Sequence, residues 1–105
     1  MTSILITPAA ENDLIKIWLY IARDNPEAAD RVYQAAENTF QTLAATPRMG
    51  TLYRSRRAQL EGLRIFPVSD LKNYVVYYRE HPQGIKIVRI LHAHMDKQRQ
   101  LEPKE

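Results

Sequence analysis

The sequence predicts an α+β fold, β-α-α-β-β-β, with a helical hairpin packed on a small, mainly antiparallel sheet. Three observations carry it. Two stretches with apolar residues at helical spacing fill residues 8–45 and are separated by a short Asn-Pro break. Three β-rich runs follow residue 62, the last two joined by the turn His81-Pro82-Gln83-Gly84. A short aliphatic run, residues 3–7, precedes the helices.

That first run, Ser-Ile-Leu-Ile-Thr, reads as a strand. Thr7-Pro8 then starts a helix: Thr7 suits the N-cap and Pro8 the first helical position. Leu14, Ile17, Trp18 and Ile21 follow at i, i+3, i+4, i+7, and Ile15, Leu19 and Ala22 widen this apolar face. Trp18 reads as core. Residues 23–27 break the helix. Asn25, set before a proline, is pushed from helical backbone and caps the next helix, whose positive end suits Glu27 and Asp30. Ala29, Val32, Ala36, Phe40 and Leu43 mark one face of that helix, which ends near Ala45 at Thr46-Pro47. So short a link makes the two helices antiparallel.

Residues 48–62 read as a loop, and strands are expected at Leu63–Val68, Tyr74–Glu80 and Ile85–His92, with a turn at Asp70–Asn73. Residues 1–98 form the single domain, and 99–105 a polar tail, with one helical turn expected near Met95–Leu101. The strands are apolar on both parities: Val75 and Tyr77 alternate with Tyr74, Val76 and Tyr78. An antiparallel sheet with one wet face alternates more cleanly, so a partner is expected over part of the second face.

The 105 residues, 45% hydrophobic and 26% charged, fit one globular core. With no cysteine, disulfides, thiolate nucleophiles and Cys-based zinc sites are excluded. No stretch approaches a membrane span and the N-terminus lacks the marks of a signal peptide, so a cytoplasmic protein is expected. Residues 1–47 hold three basic and six acidic residues, net −3; residues 48–105 hold twelve and six, net +6. A basic half suits a nucleic acid or an acidic protein, or is simply a solvated surface.

Four features offer chemistry. Arg48, Arg54, Arg56 and Arg57, with Tyr53 among them, form a basic loop able to grip phosphates or carboxylates. Arg64, inside a strand, either meets solvent or faces an anion. Arg89 lies in the most apolar run of the chain and must pair with an internal carboxylate or hold a ligand or partner. His92 closes the last strand, where histidine serves as a proton carrier or a hydrogen-bonded terminus. His92-x-His94-x-Asp96 is not a zinc spacing, so no metal is expected. The three glycines form no phosphate loop, and the helices' carboxylates read as ordinary exposed faces.

Five runs in order resemble the ParE/RelE toxin superfamily: residues 7–29, from Thr-Pro-Ala-Ala-Glu to Asn-Pro-Glu-Ala-Ala; Phe-Gln-Thr-Leu-Ala-Ala-Thr-Pro-Arg-Met-Gly; Leu-Arg-Ile-Phe-Pro; Tyr-Val-Val-Tyr-Tyr-Arg; and Ile-Val-Arg-Ile-Leu-His-Ala-His-Met-Asp. The resemblance spans about Ile4 to Gln98. It implies the toxin of a type II toxin–antitoxin pair, in the plasmid-stabilisation class, without cofactor or metal. It also implies a cognate antitoxin, a ribbon-helix-helix DNA-binding protein with an acidic C-terminal tail. RelE-like members cut mRNA on the ribosome; ParE-like members block DNA gyrase without catalysis. By position Arg64, Arg89 and His92 match a ribonuclease's set. Yet residues 48–64 contain no lysine and no tyrosine follows Arg79, where RelE-like enzymes carry such groups. The wording Arg-Ile-Leu-His-x-x-x-Asp is ParE-like, and favours the gyrase inhibitor. An mRNA endonuclease and an inactive homologue kept as a binding module are the alternatives. The expected target- or antitoxin-binding residues are Arg54, Arg56, Arg57, Arg64, Tyr77, Arg89 and His92.

Overall fold

A computed structural model describes residues 3–54, 57–68 and 71–92 of the chain. Strand β1 (Ser3–Ile6) leads into helices α1 (Pro8–Ala22) and α2 (Pro26–Ala45). Strands β2 (Thr51–Leu52), β3 (Arg64–Val68), β4 (Leu71–His81) and β5 (Gly84–His92) follow, with a 3-10 turn at Ala58–Leu60. Both helix starts follow their capping residues. The Thr7 hydroxyl accepts the Ala10 N–H at 3.1 Å, and the Asn25 side chain accepts the Ala28 N–H at 3.1 Å. Thr7 also donates to the Val88 carbonyl at 2.8 Å, which ties the start of α1 to β5.

The five strands form one sheet in the order β1-β5-β4-β3-β2, with β1 parallel to β5 and the other pairs antiparallel. First and last strands therefore lie side by side. Gly84 permits this: a Cβ there would stand 1.9 Å from the Ser3 carbonyl oxygen. The helical hairpin covers one face. Leu14, Ala36, Phe40, Leu43, Val76, Tyr78, Ile85, Ile87 and Ile90 fill the core between them.

The structure corrects the sequence reading in four places. Residues 48–62 are not all loop, because they hold β2 and the 3-10 turn. Of the expected turn at Asp70–Asn73, Asp70 lies outside the described residues and residues 71–73 are strand: β4 starts at Leu71, which pairs with Val68. Trp18 stays outside the buried core, half-exposed between the helices, where its indole N–H donates to the Asp30 carboxylate at 2.9 Å. The fourth correction concerns the uneven alternation. A second cluster, Leu60, Leu63, Tyr77 and Leu91, packed by Tyr53, Ile65, Val75 and Val88, occupies the outer face. Tyr53, Leu60 and Leu63 of this chain thus cover that part of the sheet. A bulge adds to the effect: Tyr77 pairs with Arg89 and Tyr78 with Ile87, leaving Val88 as the extra residue. The helix-facing parity of β5 therefore switches from Ile85 and Ile87 to Ile90. The Met95–Leu101 turn and the 98/99 domain boundary lie outside the described residues.

Candidate functional site: the basic edge of the sheet

Tyr78 and Arg64 are cross-strand neighbours, and together they organise the chain that leaves α2. The Tyr78 hydroxyl donates to the Pro47 carbonyl at 2.8 Å and accepts the Gly50 N–H at 2.7 Å. Burial raises its pKa above the usual tyrosine value. The Arg64 guanidinium donates to the Gly50 carbonyl at 2.7 Å. Arg48, from the same stretch, meets Glu80 at 3.0 Å in an exposed pair of small energetic worth. This pinned segment delivers β2 and Tyr53 to the sheet edge. Thr51, Leu52, Tyr53, Arg54, Glu61 and Gly62 line an open depression there with Arg64. Arg54 and Arg57 are exposed. Arg56 lies outside the described residues.

Tyr77 is fully buried and offers no exposed surface. Its ring meets Tyr53 edge-on, with centroids 6.0 Å apart. Burial, with Tyr53 nearby, pushes its pKa up to about 12. Its hydroxyl has no hydrogen-bond partner among the described residues.

Arg89 takes the first of the two roles the sequence leaves open. Its Nε donates to Asp13 Oδ2 at 2.7 Å and its terminal nitrogen to Oδ1 at 2.9 Å. The two side chains are 17% and 10% exposed, so this forked pair is largely dry. The Asp13 hydrogen bond raises the Arg89 pKa further, against the opposing effect of burial. Asp13 Oδ2 also accepts the Ile90 N–H at 3.0 Å, just past the bulge. Asp13 is therefore no ordinary exposed carboxylate, as the helix pattern suggests, but the clamp between α1 and β5.

His92 is half-buried, its ring edge-on to Tyr74 at 5.4 Å. Burial, followed by Tyr20, raises the pKa of Tyr74. His94 and Asp96 lie outside the described residues. Among the described residues no three His, Cys, Asp or Glu side chains gather as metal ligands do.

The rows Arg64–Tyr78–Ile87 and Ile65–Tyr77–Arg89 are adjacent in the sheet, so the backbone brings the two arginines close. Their side chains part: Arg64 joins Arg54 and Tyr53 at the edge, while Arg89 reaches α1. Sequence reasoning missed Arg79, whose guanidinium donates to the Gln59 and Glu61 carbonyls and anchors the 3-10 turn. It also missed a second surface on the hairpin. Ile15, Leu19 and Tyr33 line an open apolar groove with Trp18 and are 49%, 54% and 40% exposed. Ile15 and Leu19 carried a visible signal, an apolar stripe too wide for one buried helix face. No described helix is long and apolar enough to cross a membrane.

Comparison with known proteins agrees with this architecture. A 24% identical chain from the chromosomal ParDE TA system of P. aeruginosa superposes with a TM-score of 0.69, over 88% of this chain and 96% of its own. The curated Toxin RelE3 of Caulobacter vibrioides is 30% identical over 94 residues, which cover 89% of this chain and 96% of that protein. The family model described as the ParE toxin of the type II toxin–antitoxin system parDE matches residues 4–97. On that match the chain belongs to the ParE toxin family of type II toxin–antitoxin systems, within the RelE/ParE superfamily.

Proposed function

We propose that this toxin arrests growth by binding DNA gyrase through its basic sheet edge, and that it is not a nuclease. The observation that carries the reading is the capture of Arg89 by Asp13. Cleavage by 2′-hydroxyl attack needs a proton acceptor, a proton donor and cations on one phosphate. Arg89 is held toward α1, Arg64 donates to the Gly50 carbonyl, and His92 packs on Tyr74. The three residues a ribonuclease would use thus serve separate local contacts. The exposed Arg54 and Arg57 are the docking cations, with Arg64 beside Arg54 in the same depression, and Arg56 joins them by sequence. The toxin acts in the cytoplasm, where its target is.

The antitoxin is a ribbon-helix-helix protein with an acidic tail. The tail's carboxylates suit the arginines of the sheet edge, and its apolar residues suit the Ile15–Trp18–Leu19–Tyr33 groove. An assay with two arms tests the target. Purified toxin is expected to stop gyrase supercoiling near stoichiometric amounts and to leave mRNA on translating ribosomes intact. Cleaved mRNA with unimpaired supercoiling would overturn the proposal. That result would favour the second reading, an mRNA endonuclease that uses Arg64, Arg89 and His92. Normal growth on expression without antitoxin would favour an inactive homologue kept for binding.

A further inference from the structure

The outer cluster is closed by a small piece of chain. Leu60, 3% exposed, is the one residue of the 3-10 turn that enters it, and it roofs Tyr77 and Leu91. The turn's own backbone bonds are local: Leu60 N–H to the Arg57 carbonyl at 3.0 Å, Glu61 N–H to Ala58 at 3.1 Å and Leu63 N–H to Leu60 at 3.2 Å. Gly62, at φ +81, lets the chain turn back into β3 in a backbone conformation that side chains disfavour. Its principal tie to the sheet is Arg79, which spans the Gln59 and Glu61 carbonyls.

Two features oppose closure. The Tyr77 hydroxyl beneath the roof is fully buried and lacks a partner among the described residues. A buried hydroxyl without a hydrogen bond is destabilising, and opening would hydrate it. Arg79 also sits directly across from Lys86 in the β4–β5 register, and like charges in that position repel. Among the described residues, the Gln59 and Glu61 carbonyls draw the guanidinium away.

We propose that residues 57–62 form a latch over the outer cluster, bolted by Arg79 and biased to open by the unpaired Tyr77 hydroxyl, which opens without unfolding the helix-packed core. Opening uncovers Tyr77, Leu63 and Leu91 and frees Arg79 beside Lys86. It converts a closed apolar cluster into an apolar floor with two cations at its margin. Local opening of this kind is reported by hydrogen exchange.

Amide exchange of the full chain, followed by NMR, tests the proposal. The Leu60, Glu61 and Leu63 amides are expected to exchange at least tenfold faster than Val76 in β4, with little dependence on low urea. Arg79→Lys keeps the charge but loses the two-carbonyl span; it is expected to speed the latch amides about tenfold and leave Val76 unchanged. Tyr77→Phe removes only the hydroxyl and is expected to slow them about threefold. Latch amides that exchange at the rate and urea dependence of Val76 would overturn the latch. No change in Arg79→Lys would overturn the bolt, and faster exchange in Tyr77→Phe would overturn the bias.

Discussion

The α1 side of the sheet and its β2–β3 edge treat their arginines differently. On the helix side Arg89 is dry, forked onto Asp13 and fixed beside a bulge. At the outer edge Arg54 and Arg57 are exposed, and Arg64 and Arg79 hold backbone carbonyls through which loops are anchored. A buried cation needs a dedicated carboxylate, and once it has one it is unavailable to a ligand. Position on a strand therefore says little about an arginine's role until the opposite layer is known. The same contrast holds for the apolar clusters. The helix-side core draws on both helices and three strands, whereas the outer cluster is closed by short pieces of chain at Tyr53 and Leu60.

The contrast can be broken first at the clamp. Asp13→Ala strands the Arg89 charge and the Ile90 N–H, and is expected to lower unfolding free energy by about 3 kcal/mol in urea titration. A loss below about 1 kcal/mol would mean that Arg89 finds water or another partner, and the two regions would no longer differ in kind. Leu60→Ala, a truncation at the edge of the smaller cluster, is expected to cost about 2 kcal/mol. Chemical shifts of Phe40 and Leu43 should stay in place, since the two clusters are separate.

Alkaline pH probes the outer cluster alone. The folded-state pKa of Tyr77, about 12, lies above its unfolded value of about 10. A raised folded pKa means the unfolded chain gives up its proton first. The associated stability is fully present below pH 10 and is lost as pH rises through about 12, by up to about 3 kcal/mol. Tyr77→Phe should flatten that part of the stability profile; an unchanged profile would place the titration in Tyr74 or Tyr78. The smallest effect on stability belongs to Arg54→Glu with Arg57→Glu, within about 0.5 kcal/mol, as both side chains are exposed.

Much of the fold was legible because its signals are local. Thr7-Pro8 and Asn25-Pro26 state their caps within three residues, and the Pro82-containing turn states the last hairpin. What was missed depends on contacts distant in sequence. Neither the bulge at Val88 nor the outer cluster that takes Val75 and Tyr77 has a local mark, so apolar residues on both parities read as a surface awaiting a partner. Leu60 lies among arginines and polar residues, and nothing nearby reveals that it roofs Tyr77. For Arg89 the sequence narrowed the choice to an internal carboxylate or a ligand. The carboxylate proved to be Asp13, 76 residues away, on a helix whose acids look uniformly exposed.

In the function we propose, the exposed edge arginines dock on gyrase while Arg89 serves the fold. A supercoiling titration with wild-type toxin and the Arg54→Glu/Arg57→Glu variant tests it most directly. Wild type is expected to stop supercoiling, and the variant, equally stable to urea, to require at least tenfold more protein. A variant as potent as wild type, or a wild type without effect at large excess, would contradict it.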